Sequence, residues 1–345
     1  MSTREEQIAQ GLCDWFVENC RTLPFRETKD AYCIWISEIM AQQTRISALI
    51  PYYERFIAQF PTVEALAQAD EDAVLKAWQG LGYYSRARNL HKAARIIVEQ
   101  YGGRLPADRK SLLALPGIGA YTAGAILSIA YEQCVPAIDG NALRVFSRLE
   151  ANDADIAKPQ TQKYWTAHVA QIMPEGKASI FTQAVMELGA LICLPTSPHC
   201  GECPMQTLCR ALATDQVERL PVKQPPKPPR QEPRLIALIC VESRVLMRKR
   251  TEKLLHNLWE FPGFPDEQAL WAQLDAWGFT LRTHSLGQKA QHVFSHIIWQ
   301  MQGMECEVLD APAPPGYRWV DRKELESLAT PTALTVYVNQ MLQQR

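Results

Sequence analysis

Long apolar runs are missing from this chain. No window approaches the ~20 apolar residues that cross a bilayer, which excludes a membrane-spanning helix. The opening residues, MSTREEQIAQ, are polar with two glutamates and do not resemble a secretory signal. The expectation is an intracellular protein whose ten cysteines serve as thiols or metal ligands rather than disulfides. An excess of charge of either sign is missing too. Thirty-six Lys and Arg against 37 Asp and Glu leave a formal −1, which on its face argues weakly against a polyanionic partner. Charge is local, however. Arg86, Arg88, His91, Lys92 and Arg95 crowd one segment, while Arg144 and Arg148 follow Asp139. A segment of that kind is more often a solvated helix face, so it is supporting evidence for a polyanion and no more. The 345 residues, 47% of them hydrophobic, suffice for two domains with a core each.

The stretch around which the rest is organised is Leu112 to Arg148, LLALPGIGAYTAGAILSIAYEQCVPAIDGNALRVFSR. Two helical patterns flank Leu115-Pro116-Gly117-Ile118-Gly119. Gly117 and Gly119 remove Cβ atoms where the backbone must turn. Bare N–H groups then open a helix over Tyr121 to Tyr131, and such a start binds anions. Leu112, Leu115, Ile118, Ala123, Ile126 and Leu127 are placed to clamp the two helices together. A plain αα-hairpin with glycine in its turn would read the same way. Asp139, in the turn Asp139-Gly140-Asn141, is either a helix cap or a reactive carboxylate.

Upstream, residues 4 to 20 form an amphipathic helix with Ile8, Leu12, Trp15 and Phe16 at helical spacing, and Arg21 to Arg26 an extended connection. A helix expected from Ala31 to Ile50 puts Glu38 on a face with Ile34 and Trp35. A carboxyl among apolar neighbours has a raised pKa and suits a general acid; a surface glutamate beside a stray aromatic is the alternative. Helices continue over Pro51 to Phe60 and Thr62 to Ala77. Gly80 to Arg88 then joins a flexible turn, the paired Tyr83 and Tyr84, and basic residues including Arg86. These side chains could stack on bases and hold phosphates, or could be core tyrosines at a helix start.

A helix over Ile180 to Ile192 leads into Cys193-(6)-Cys200-(2)-Cys203-(5)-Cys209. That spacing suits tetrahedral zinc or a four-iron cluster. Cys13, Cys20, Cys33, Cys134, Cys240 and Cys306 are scattered and default to packing. From Pro221 to Pro233, PVKQPPKPPRQEP reads as a linker. Beyond it come strands over Arg234 to Val241, Arg244 to Lys249, His292 to Met301 and Tyr317 to Val320, a helix over Asp266 to Trp277, and two closing helices.

The hairpin LPGIGAYTAGAI, Asp139 in its turn, Glu38 and the four-cysteine spacing together resemble the endonuclease III superfamily of DNA glycosylases. Within it the chain is similar to the MutY-type adenine glycosylases. The resemblance runs over nearly the whole chain and is densest from Arg21 to Cys209. It implies a mainly α N-terminal helix-hairpin-helix glycosylase domain with a [4Fe-4S] loop, plus a C-terminal α+β Nudix-like domain. The domains implied are residues 1–215, a proline-rich linker at 216–233, and residues 234–345. The first splits into a six-helix module at about 25–130 and an iron–sulfur module of the N-terminal helix with about 131–215. Glu38 matches the catalytic glutamate and Asp139 the catalytic aspartate, with Tyr121 and Asn141 orienting them. Gln43 matches the glutamine that wedges into the stack, and Tyr83 the tyrosine beside the lesion's partner base. Arg86 and the hairpin glycines Gly117 and Gly119 belong to the DNA contact. Phe294-Ser295-His296 matches the loop that recognises 8-oxoguanine, and Cys193, Cys200, Cys203 and Cys209 would hold a [4Fe-4S] cluster. Phe25 stands where the family usually has Trp, and Ala41 where Leu is more usual.

The resemblance further implies a monomer acting on duplex DNA with adenine opposite 8-oxoguanine or guanine, in a bacterial cytoplasm and on the nucleoid when bound. Bifunctional relatives carry a lysine where this chain has Tyr121, so hydrolysis without strong strand nicking is expected. The alternatives are an endonuclease III-like lyase, a non-catalytic mispair binder, and a nucleotide-pool Nudix hydrolase. A Nudix hydrolase needs carboxylates after its glycine to hold magnesium. The segment from Gly263 to Asp275 offers too few, at the wrong spacing.

Overall fold

Thr3 accepts the amide of Glu6 while the Glu6 carboxylate accepts the amide of Thr3. This reciprocal cap starts α1 (Arg4–Asn19). The computed structural model describes residues 2–224 and 228–343. Its helices continue with α2 (Ala31–Ala41), α3 (Ile46–Gln59), α4 (Val63–Gln68), α5 (Glu71–Ala77), α6 (Ser85–Tyr101), α7 (Arg109–Ala114), α8 (Ala120–Ile129), α9 (Gly140–Leu149), α10 (Pro159–Ile172), α11 (Ala178–Leu191) and α12 (Arg210–Ala213). Then follow β1 (Arg230–Val241), β2 (Arg244–Lys249), β3 (Trp259–Glu260), β4 (Gly263–Phe264), α13 (Glu267–Ala276), β5 (Leu281–Val293), β6 (Ile297–Val308), β7 (Tyr317–Val320), α14 (Arg322–Ser327) and α15 (Thr335–Gln343). None of the described helices is long and apolar enough to cross a membrane.

The chain divides into two units, Met1–Gln68 with Asn89–Pro225, and Ala69–Arg88 with Pro226–Arg345. In the first, one core joins Leu12 and Phe16 of α1 to Phe146 of α9, Trp165 of α10 and Phe181 of α11. The six apolar residues expected to clamp the hairpin are all buried, so α7 and α8 meet as the periodicity required. In the second, the sheet order is β3-β2-β1-β6-β5, with β4 on β1 and β7 on β2. β1 and β6 run parallel and β5 pairs antiparallel with β6. β1 is apolar on both faces. Leu235, Ala237, Ile239 and Val241 pack with α13, and Ile236 and Leu238 with Tyr337 of α15.

Four expectations change. The helix foreseen from Ala31 to Ile50 stops at Ala41, because Gln43 takes a left-handed conformation (φ 60°) before α3 begins. The helix foreseen over Thr62 to Ala77 is broken by extended backbone at Asp70. Its second half, α5, packs with the strand unit. Lys76 Nζ donates to the carbonyls of Glu326 (2.6 Å) and Leu328 (3.2 Å), and Asp72 pairs with Lys249 at 2.8 Å. The proline-rich stretch, of which residues 225–227 lie outside the described residues, is partly structured at both ends. Arg148 donates to the carbonyls of Val217 and Leu220, and β1 already starts at Arg230. Pro233 fits in β1 because the strand is paired there on the β6 side alone, so its missing N–H costs no ladder bond. Finally, the single strand foreseen over His292 to Met301 is the tip of a hairpin. Phe294 to His296 form its turn, closed by Phe294 N–H donating to Ile297 O at 2.8 Å. β5 escaped notice because Arg282 to Leu286 are all exposed on an edge strand, which leaves no apolar alternation to read.

Candidate active site

Glu38 projects from α2, whose apolar flank of Ile34, Trp35 and Ile39 is buried. Asp139 caps α9, its Oδ1 accepting the amide of Ala142 at 2.7 Å. Capping and reactivity are therefore not alternatives here: one carboxylate oxygen caps the helix and the group still faces a cavity. Both acids line the same cleft of about 1270 Å³, together with Tyr121, Asn141, Gln43, Gly117 and Gly119.

Tyr121, from the first turn of α8, donates its hydroxyl to Glu38 Oε2 at 2.6 Å. Removal from water pushes the Glu38 pKa up to about 7. The Tyr121 hydrogen bond opposes that rise, the Asp139 charge adds to it, and Arg26 opposes it. Asp139 is also raised by burial. It receives more opposition, from the amides of Ala142 and Asn141, from Arg144, and from the Asn141 side chain, whose Nδ2 donates to Asp139 Oδ2 at 3.0 Å. The Tyr121 phenol is driven well above its ordinary range by burial beside these acids, so it remains a hydroxyl.

Three residues at one edge of the cleft were not foreseen as functional. Glu187 of α11 is fully buried and takes hydrogen bonds of 2.7 Å from Arg21 and from Arg26. Burial alone would raise its carboxyl, but the two guanidinium groups outweigh it and hold the pKa at about 2. The sequence signal was faint: two arginines in an extended connection, and an acid about 160 positions later.

Arg144 and Arg148, read as possible surface charge, are buried instead. Arg144 donates to Asn141 Oδ1 (2.9 Å), to Gly189 O (2.7 Å) and to Cys193 O (2.7 Å). A continuous chain of hydrogen bonds thus runs from Asp139 to the cysteine loop. Arg148 donates to the carbonyls of Leu194 and Pro195 and to Cys193 Sγ at 3.4 Å. Gly189 is needed for this arrangement, since a Cβ there would sit 2.7 Å from the Cβ of Asn141.

The remaining expected residues fall as follows. Gly117 is left-handed (φ 80°), and a Cβ on it would meet Asn89 at 2.8 Å. Gly119 has ordinary extended backbone, and a Cβ on it would meet nothing. Its contribution is therefore open space in front of the α8 amides rather than a turn. Tyr83 lies in the second unit, half-exposed and left-handed at φ 47°. Arg86 turns back onto its own turn, donating to Leu81 O (3.0 Å) and Gly82 O (3.2 Å), with its guanidinium 5.7 Å from the Tyr83 ring. Ser295 and His296 are exposed at the hairpin tip, while Phe294 packs on Trp299 at 4.8 Å.

Cys193, Cys200, Cys203 and Cys209 all line one apolar cavity with Leu149, Leu188 and Met205. Backbone N–H groups of Met205, Ala211 and Leu212 aim at the sulfurs of Cys203 and Cys209. Among the described residues no group of three or more His, Cys, Asp or Glu is placed to hold a metal ion.

A hairpin that presents amides beside two acids with separated surroundings, in a cleft wide enough for a nucleoside, defines a class: the helix-hairpin-helix enzymes of base excision. Residues 36–171 match the family model of HhH-GPD superfamily base excision DNA repair proteins, and residues 235–340 that of the NUDIX domain. The chain is 34% identical to the adenine DNA glycosylase of Mus musculus, over 94% of this chain and 76% of that protein. It is also 34% identical to that of Buchnera aphidicola subsp. Schizaphis graminum, over 84% of each. The chain belongs to the adenine DNA glycosylases. Among solved structures, a thermostable thymine-DNA glycosylase superposes with a TM-score of 0.56 at 27% identity, covering 61% of this chain and 97% of its own. Endonuclease III in a non-covalent DNA complex superposes with a TM-score of 0.52 at 23% identity, over 62% of this chain and 99% of that one, and supports the fold.

Proposed function

We propose that this chain removes adenine from duplex DNA where it stands opposite 8-oxoguanine or guanine, by acid-assisted hydrolysis of the N-glycosidic bond. The observation that carries the reading is the pair Glu38 and Asp139 in one cleft, with different donors on each. Adenine is a poor leaving group until protonated, and its bond lies inside the stack, so the base must be turned out into the cleft. Glu38, with a pKa near 7, is protonated in a large share of molecules at neutral pH and delivers that proton to adenine N7. As the bond breaks the sugar becomes oxocarbenium-like, and the Asp139 carboxylate, whose charged form its amide donors favour against burial, stabilises it. Tyr121 orients the acid and Asn141 the carboxylate.

No lysine lines the cleft among the described residues, and on α8 Tyr121 takes the position at which the resemblance gives bifunctional relatives a Schiff-base lysine. That supports hydrolysis without strand nicking. Gly117, Gly119 and the α8 amides fit a phosphate, and Gln43 and Tyr83 fit the opened stack. The C-terminal unit binds rather than hydrolyses. Of its acids near Gly263, Asp266 is used as the cap of α13, accepting the Ala269 amide at 2.8 Å. The exposed Ser295 and His296 would meet 8-oxoguanine.

The four cysteines fit a [4Fe-4S] cluster. Cys193, Cys200, Cys203 and Cys209, which line one cavity, would hold it as thiolates. When bound, the cluster supplies a rigid anchor for the loop that Arg148 also holds. Single-turnover excision from duplexes with adenine opposite 8-oxoguanine, guanine or thymine tests the assignment. Adenine should be released fastest opposite 8-oxoguanine, and Glu38→Gln should lose at least about a hundredfold in rate. Normal excision by Glu38→Gln, or excision of oxidised pyrimidines instead, would overturn it.

A further inference from the structure

Arg250 is 3% exposed and forms a buried ion pair with Glu260, itself 5% exposed. A buried ion pair is poor evidence of stability by itself, so its surroundings matter. The Arg250 guanidinium lies 5.6 Å from the ring of Trp299, which also carries Arg234 at 4.1 Å. Trp299 in turn packs edge-on against Phe294, the first residue of the hairpin tip that exposes Ser295 and His296.

On its other side Arg250 closes a loop. Its Nε donates to Leu254 O at 3.0 Å, its amide to Leu258 O at 2.9 Å, and its carbonyl accepts the Asn257 amide at 2.9 Å. Two residues of this loop, Leu255 and Asn257, are left-handed. Asn257 Nδ2 donates to Glu71 Oε1 at 2.6 Å, and His256 O accepts from Arg88 at 2.7 Å. Glu71 and Arg88 bracket the segment whose exposed turn carries Tyr83. Every residue in this series belongs to the second unit. The hairpin tip and the Tyr83 turn, more than two hundred positions apart in sequence, are therefore joined by packed and hydrogen-bonded groups with Arg250 in the middle.

We propose that Arg250 is a positioning residue that makes the Phe294–His296 tip and the Tyr83 turn act as one reader of the base opposite the excised adenine. This rests on the 8-oxoguanine reading above. Arginine is suited to the place because its fork reaches a carboxylate and a carbonyl while its plane lies against indole. Removing it leaves Glu260 buried with Arg248 as its remaining partner, and frees the loop from Trp299.

The test is a double-mutant cycle in the full-length protein. Tyr83→Ala and Ser295→Ala are measured singly and together, with the ratio of single-turnover rates opposite 8-oxoguanine and opposite guanine as readout. In the parent the double loss should differ from the product of the single losses by about fivefold or more. In an Arg250→Met background the losses should simply multiply. A general loss of stability would lower both rates without removing the coupling. Should Arg250→Met fail to fold, Glu71→Ala with Arg88→Met removes the acceptor for Asn257 Nδ2 and the donor to His256 O, cuts the loop's outer bonds and must abolish the coupling in the same way. Multiplying losses in the parent, or coupling that survives these changes, overturns the proposal while leaving the 8-oxoguanine reading intact. A parent with no preference for 8-oxoguanine removes the reading itself, and the proposal with it.

Discussion

Glu38 and Asp139 share a cleft, and what separates them is how many donors each receives. Glu38 has one hydroxyl, and its pKa rises to about 7; Asp139 has two amides, a side-chain amide and a nearby guanidinium that favour its charged form. An acid catalyst works only while protonated. The single-turnover rate should therefore fall roughly tenfold per unit above about pH 7, and fall again on the acid side once Asp139 takes up a proton. The Tyr121 hydrogen bond favours the charged carboxylate, so Tyr121→Phe should raise the Glu38 pKa and move the falling limb to higher pH. A pH–rate profile measures both. A limb that stays put in Tyr121→Phe, or a rate that climbs with pH above about 7, would mean that Glu38 is not the acid.

At the scale of elements, the loop between α11 and α12 is held from inside by α9. Arg148 spans from Cys193 Sγ and Leu194 O to Val217 O and Leu220 O, which ties the cysteine loop to the stretch after it. Four cysteines line one apolar cavity, and burial raises the thiol pKa at Cys200, Cys203 and Cys209, so without a bound group they stay neutral thiols. A bound cluster would use them as thiolates. Protein produced without oxygen should contain about four irons and as many acid-labile sulfides per chain. Cys200→Ser should lose most of both, with a lower thermal midpoint by calorimetry. Zinc in place of iron, with no labile sulfide, would refute the cluster.

For the molecule as a whole, the grouping of Ala69–Arg88 with the strand unit is the feature with the widest consequence. Lys76 donates to Glu326 O and Leu328 O, Gln79 to Thr330, Tyr84 to Thr330 O, and Arg88 to His256 O. A fragment ending at residue 224 keeps the acids but strips these partners from the segment that bears Tyr83. Limited proteolysis should cut that fragment between residues 69 and 88 while the full chain resists there. Equal resistance of the two would mean that the segment is held by its sequence neighbours.

Much of this was legible in the chain itself. Apolar spacing placed α1, the hairpin helices and the six residues that clamp them, because burial of one helical face leaves a periodic trace. The cysteine spacing and the glycine turn were equally plain, being local constraints on a few adjacent residues. Type and context made the two acids candidates, one beside an aromatic and one after a turn, and the family resemblance chose between each and its structural alternative. Their meeting in one cleft, the Glu187 brace on Arg21 and Arg26, and the inward turn of Arg144 and Arg148 depend on groups up to about 160 positions apart, and no period records them. Nor could a period reveal β5, an edge strand with little to bury, or the capture of Ala69–Arg88 by the strands. Local sequence set the elements and their chemistry; which carboxylate keeps a proton was decided by the water and donors that the tertiary fold removes from or brings to each one.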